Sequence, residues 1–433
     1  MTALGNTSLI QIYESKKVSL PKKITNATRK YAKGIVKYIG YKWVLPLAYK
    51  WCARNPIDEK LIVFADLRDR DMPDNFLSLY RMCQKNGFQC EVLSGRPFGD
   101  KVPKWKRRKE KWKFHFQFIK LFAQCRALFL VEYFPLAYIV TPRTGTDVVQ
   151  LWHGCGLMKR MGYAVTSHSW GASEREKKRY PMHTSYTLVS STSPRVSEGY
   201  QKAFRCSPDI IKPLGSPRTD VYYDESFKQA AKQKVRSLIP DIGDRKIILY
   251  APTFRGSSIS KSYINVDLNY TELKAALAAR YVFLLKFHPL MAGNGFSESD
   301  RLQGLGFAYD VSKTLAPDEA LCAADILVSD YSSIMFEFLL LERPLISYIY
   351  DLDDYIKDRG LFSPYETLIP GPYVFTQEEL TKKLQTIDTW FDVDRIRRYR
   401  QEFMSACDGH STERIYQHLF GIASGHIKED WSK

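Results

Sequence analysis

"ILVSDYSSIMFEFLLLERPLI", residues 326–346, decides the fold. "DILVSD" (325–330) reads as a short buried strand, Ser333 to about Glu342 as a helix, and "PLISYIYD" (344–351) as a second strand. Strand, helix and strand in immediate succession is the unit from which parallel sheets are built. The junction Ser329-Asp330-Tyr331-Ser332-Ser333 is polar and has no glycine-rich loop. The first N–H groups of a helix lack partners within it, and its dipole favours an anion. Hydroxyls there add donors, so Ser332 and Ser333 predict a phosphate cradle. Plain N-capping by serine is the competing reading.

The same rhythm extends in both directions. Leu61–Ala65, "QCEVLS" (89–94) and Val148–Trp152 read as strands, with a helix at Asp74–Gln84. Further on come the strands "KIILYAP" (246–252) and "YVFLLKFHP" (281–289), and helices at 270–280 and 318–324. Near-continuous apolar strands alternating with helices imply parallel sheets covered on both faces. A chain of 433 residues exceeds one ordinary core. The expectation is therefore α/β, with two Rossmann-like domains facing a cleft. The boundaries are a basic helical segment at 1–55, a first domain at 56–225 and a second at 226–433, whose last helix can cross back. Polar residues 223–245 read as the linker.

Four polar clusters begin where apolar strands end: "LWHG" (151–154), "YAPTFRG" (250–256), "KFHP" (286–289) and "SDYSS" (329–333). Open α/β sheets bind ligands beyond the carboxyl ends of their strands, so the four belong to one cleft. His153 precedes Gly154 and Gly156, where a backbone can approach a ligand closely. His288 stands between Lys286 and Pro289. A lone strand-end histidine is more often structural, but a shared cleft argues for function. No HExxH pattern or paired carboxylates accompany them, so no zinc site is expected. Asp351, Asp353 and Asp354 read as a capped turn, and nothing marks a cytidine pocket.

Composition limits the partners. With 45% hydrophobic and 26% charged residues the chain can bury a core, which excludes disorder over most of its length. No apolar run is long enough for a spanning helix; Ala127–Val140, which carries Glu132 and Pro135, reads as buried core. The start lacks a secretory pattern, and eight scattered cysteines read as reduced thiols of a cytoplasmic protein. The net charge of +17 calls for an anionic partner. Lys16–Lys50 holds ten Lys or Arg and no acid, with Lys30, Lys33 and Lys37 on one helix face and Tyr31, Ile35 and Tyr38 on the opposite one. That segregation predicts a helix lying in an anionic membrane surface, and "KVPKWKRRKEKWK" (101–113) is a second basic block. No zinc-finger, RRM or KH signature supports a nucleic-acid partner.

Together, "VVQLWHG", "MKRMG", "LGSPRTD" (214–220), "ILYAPTFR", "KFHP" and "ADILVSDYSSIMFEFLLLERPLISYIYDLDDY" resemble the CDP-glycerol glycerophosphotransferases, the teichoic acid primases and polymerases. The resemblance runs in the family's order from about Val148 to about Gly360. It implies a glycosyltransferase-B-like pair of domains that moves glycerol phosphate from CDP-glycerol to a hydroxyl of a lipid-linked saccharide or growing polymer, releasing CMP. Work at the inner face of the cell membrane follows, with the enzyme peripheral to it. His153 would be the base. Ser332, Ser333, His288 and Arg255, with Thr253 and Arg218, would hold donor phosphates. Glu337, one turn beyond Ser333, and Asp330 would serve the ribose. No cofactor is apparent, and a divalent cation is compatible with the chemistry. One departure stands out: Cys155-Gly156 replaces the Thr-Pro that tends to follow His-Gly. Ribitol phosphate or a sugar as the transferred group, or a non-catalytic polyanion- or membrane-binding role, are the alternatives.

Overall fold

In the computed structural model the described residues are 31–67, 72–94, 103–166, 171, 173–256, 263–264, 268–288, 291 and 298–421. Lys16–Lys30, Lys101 and Pro289, all singled out above, lie outside them. Twelve strands among the described residues form two six-stranded sheets. The first holds β1 (Asp58–Asp66), β2 (Gln89–Ser94), β3 (Cys125–Leu130), β4 (Asp147–Gln150), β5 (Leu188–Ser190) and β6 (Ile211–Lys212), in the order β2-β1-β3-β4-β5-β6. The second holds β7 (Lys246–Ala251), β8 (Tyr281–Leu285), β9 (Ala308–Asp310), β10 (Ile326–Ser329), β11 (Leu345–Tyr348) and β12 (Tyr373–Val374), in the order β12-β11-β10-β7-β8-β9. Every pairing is parallel, with Ile62 opposite Ala127 and Leu327 opposite Leu345.

The apolar runs account for this. Leu61–Ala65, Ile326–Ser329 and Tyr281–Leu285 are buried at every residue, which only a sheet covered on both faces provides. The opening stretch folds as strand, helix and strand, but its helix is only Ile334–Leu339. Two stretches carry helices that the sequence reading did not assign. The 223–245 "linker" contains a 14-residue helix, Glu225–Leu238, whose cap Asp224 accepts from Ser226 N and Phe227 N. The second basic block opens a 21-residue helix, Lys104–Gln124.

Residues 31–39 are helical and continue through a π turn, Gly40–Val44, into the helix Leu45–Cys52. Gly40 lies flat on Trp112 of the Lys104–Gln124 helix; a Cβ there would stand 2.4 Å from the indole. The two basic blocks, remote in sequence, therefore pack together.

The halves are joined at several places. Lys159 and Leu361 form an antiparallel bridge, flanked by Arg160 N to Gly360 O (3.2 Å) and Phe362 N to Met158 O (3.0 Å). Phe336 packs on Phe403 of the helix Val393–Met404, and Thr192 Oγ1 donates to Phe403 O at 2.7 Å. The helix Ser411–Phe420 then lies on the first sheet, placing Ile415, Tyr416 and Phe420 in one core with Ile62, Phe64 and Phe129. Asp220 receives its first N–H groups, Ser411 N at 3.0 Å and Thr412 N at 2.8 Å.

Candidate active site

β4 ends at Gln150, and the chain turns sharply at Trp152, a non-glycine residue at φ +57°. Such a conformation costs about 1–3 kcal/mol and persists only where neighbours enforce it. Here Gln150 Oε1 accepts from Trp152 N at 2.8 Å, and Asn75 Nδ2 donates to Trp152 O. The turn presents His153 to the cleft. Its Nδ1 lies 3.2 Å from Glu132 Oε2, with the imidazole 39% and the carboxylate 12% exposed. Gln150 Nε2 donates to Glu132 O at 3.1 Å, so one buried amide fixes both shoulders of the pair. A carboxylate this near Nδ1 can orient the imidazole, although the two atoms are not aligned as a hydrogen bond.

Glu132 was missed by the sequence reading. Its signal was present: a lone acid directly beyond the apolar residues of β3, at the same strand-end position that marked His153.

Across the cleft stands the serine junction. A Cβ on Gly154 would lie 3.2 Å from Ser333 Oγ, and one on Gly156 (φ +60°) only 2.4 Å from the Phe336 ring. Glycine at both positions lets the His153 loop sit directly against the start of the Ile334–Leu339 helix. Ser333 caps nothing with its side chain, and Ser332 Oγ receives Ile334 N only at 3.5 Å. Both hydroxyls are half-buried and keep donor capacity. A six-residue helix supplies little dipole, so the cradle rests on hydroxyls rather than on the helix end. His288 follows β8 and is exposed, its ring 5.1 Å from Phe254 at 66°. Since β10, β7 and β8 are neighbours in the sheet, Ser332, Ser333 and His288 share one rim.

The other expected donor contacts are differently occupied. Arg255 meets Asp351 through Nε (2.6 Å) and Nη2 (2.8 Å), reaches Asp330 at 3.1 Å, and sits among Tyr331, Tyr350 and Tyr355. Asp351 is therefore a half-buried ion-pair partner and not only a turn residue. Thr253 donates both N–H (2.8 Å) and hydroxyl (2.6 Å) to Asp330 Oδ1, while Oδ2 faces Arg255. Arg218 reaches Asp318 (3.0 Å) and Glu337 (3.3 Å), with side chains 13%, 12% and 1% exposed. Tyr222 donates to the same two carboxylates, and Cys155, buried under His153, hydrogen-bonds Glu337. Glu337 thus answers Arg218 inside the protein. Burial pushes its carboxyl up against the pull of Arg218. The guanidinium, despite its burial, is held well above its usual value by Glu337 and Asp318. Cys155 departs from the family pattern at the floor of the loop, not on its cleft side.

Half-buried Lys159 lies along the same seam, its Nζ 5.6 Å from the Tyr355 ring. Burial brings its ammonium down to about 8, Asp330 opposing and Arg359 and Arg255 assisting. Among the described residues no cluster of three His, Cys, Asp or Glu could hold a metal.

Two parallel α/β halves meeting at polar strand ends, a carboxylate-paired histidine on one side and hydroxyls on the other, define a transferase of glycosyltransferase-B-like architecture. The chain belongs to the CDP-Glycerol:Poly(glycerophosphate) glycerophosphotransferase family, whose model matches residues 47–421. It is 32% identical over 378 residues to the teichoic acid ribitol-phosphate primase of Bacillus spizizenii, covering 86% of this chain and 94% of that protein. It is 31% identical over 302 residues to that organism's teichoic acid poly(ribitol-phosphate) polymerase, covering 69% of this chain but only 47% of the polymerase. The solved wall teichoic acid polymerase TagF shares the fold, with a TM-score of 0.71 and 23% identity over 93% of this chain and 98% of that one.

Proposed function

We propose that this transferase takes a polyol phosphate from a CDP-activated polyol, glycerol in the first instance, and joins it to a hydroxyl of a lipid-linked acceptor. The observation that carries the reading is the contact of Gly154 with Ser333, which sets a carboxylate-paired histidine beside free hydroxyls of the opposite half. The acceptor oxygen attacks the distal phosphorus, the new P–O bond forms as the bond to CMP breaks, and His153 Nε2 takes the hydroxyl proton. Ser332, Ser333 and His288 donate to the phosphate oxygens as charge moves onto the leaving group. Arg255, Thr253, Arg218, Glu337 and Asp330 act by holding the cleft in shape. Ribitol phosphate is the second reading, favoured by the names of the two sequence relatives.

The purified chain with CDP-glycerol or CDP-ribitol and a lipid-linked acceptor should release CMP only when acceptor is present. His153→Ala should lower turnover by about two to four orders of magnitude with donor affinity nearly unchanged. Turnover within a few-fold of wild type would remove the base.

The reading includes work on a membrane face. Among the described residues no helix is long and apolar enough to cross one. Tyr31, Ile35, Ile39, Trp43, Leu47 and Trp51 recur every fourth residue and are each 42–74% exposed. On an α-helix that spacing drifts about 40° per step. The wider π turn at Gly40–Val44 rotates the stripe back, keeping one apolar face flanked by lysines. Such a face suits the interface of an anionic bilayer, where each cation adds roughly 1 kcal/mol. Tyr38, expected in this stripe, lies under Arg179 instead.

A further inference from the structure

Beside the apolar stripe lies a cluster of cations packed on phenol rings. Lys37 Nζ is 4.5 Å from the centre of the Tyr180 ring, and the Arg179 guanidinium is 4.7 Å from that of Tyr38. Lys111, on the neighbouring helix, feels Lys37 closely enough that burial and this like charge lower its ammonium. Exposed Lys37, Lys111 and Arg179 have no carboxylate within ion-pair distance among the described residues. The acids of the adjoining helix are engaged, Glu174 with Arg205 at 3.2 Å and Glu176 in the cap of Ser173. Like charges gathered without acids are destabilising unless an anion joins them.

The phenols around them complete an anion site. Tyr41 meets Tyr180 edge-on at 6.5 Å and His115 at 5.7 Å. Burial, then Tyr133 and Tyr180, push its hydroxyl up to about 12, so it remains a donor. Tyr133, which acts on Tyr41, adjoins Glu132 in sequence, so the cluster touches the segment that carries the partner of His153.

Resting on the transferase reading above, we infer that Lys37, Lys111 and Arg179, with Tyr38, Tyr41 and Tyr180, bind the phosphate or diphosphate that links the acceptor's saccharide to its lipid. The lipid lies along the stripe and the reacting hydroxyl at His153, so this linkage must leave from beside the stripe, where the cations stand. The cluster would then measure the acceptor from its lipid end.

The test compares wild type, the double variant Lys37→Gln/Arg179→Gln, and the control Lys42→Gln/Lys50→Gln from the same helix. Acceptors are a soluble short-prenyl diphosphate saccharide and the alkyl glycoside of that saccharide, which has no phosphate. The double variant should show KM for the diphosphate acceptor raised about tenfold or more, with kcat within about twofold and KM for the glycoside unchanged. Its binding to phosphatidylglycerol vesicles should fall no further than that of the control. Equal KM changes for both acceptors, or none for either, would overturn the subsite, as would a loss of vesicle binding confined to the double variant. Should wild type release no CMP with either acceptor, the transferase reading fails, and calorimetry without donor decides the subsite separately. Weaker binding of the prenyl diphosphate saccharide by the double variant supports it, and equal binding refutes it.

Discussion

Arg255, Arg218, Glu337, Asp330 and Thr253 have side chains suited to a nucleotide diphosphate, and each already has a partner within the protein. Residue type is written in the sequence; partners are not. Arg218 and Glu337 lie 119 positions apart, and no spacing rule connects them. His183 shows the same dependence. Its ring lies 4.3 Å from Phe204 and 5.6 Å from Tyr186, whose hydroxyl is 2.8 Å from Nδ1. Burial, then the Lys177 charge, lower its imidazole to about 3. In the unfolded chain it takes up a proton near 6.5, which the folded chain refuses until about 3. Stability should therefore be full above about pH 6.5 and fall below it, by up to roughly 1.4 kcal/mol per pH unit for one such histidine. Urea unfolding at pH 7 and pH 5 should show a clear loss for wild type and a smaller one for His183→Gln. Equal slopes would acquit this residue.

Among the elements, the strands were legible where a nearly unbroken apolar run is buried, as in β7, β8 and β10. Strands β5, β6, β9 and β12 are two or three residues long, too short for any period to register, and only the sheets beside them make them strands. β3 was hidden because Glu132 and Pro135 follow it closely, and the same Glu132 proves to be the partner of His153. The long helix behind "KVPKWKRRKEKWK" was obscured by its lysines, whose charge spoke louder than their helix propensity. The His153 loop was legible as a strand end, but the need for its glycines is visible only in space. Gly156→Ala should lower turnover about tenfold or more, since its φ of +60° and the Phe336 ring leave a methyl no room. Gly34→Ala, where nothing lies within 4 Å, should leave turnover intact and steady its helix by up to about 1 kcal/mol. Similar kinetics for the two variants would mean that the loop is not held against the second half.

Over the whole molecule, the halves are joined by a buried charge cluster as well as by apolar contact. Removing Arg218 alone leaves Asp318 and Glu337 uncompensated in a dry seam, which costs about 3–5 kcal/mol. Arg218→Met should unfold at markedly lower urea, and Arg218→Met/Glu337→Met should recover part of the loss. A double variant no better than the single would show that the charges are not coupled.

The returning helix, Ser411–Phe420, also gives the fold a schedule. The sheet begun by β1 near residue 58 does not receive Ile415 and Phe420, part of its own core, until the second sheet has been synthesised. At roughly 5–20 residues per second, that delay on the ribosome is on the order of tens of seconds. For that interval Ile62, Phe64 and Phe129 lack part of their cover, so the first half of this protein is the last to be finished.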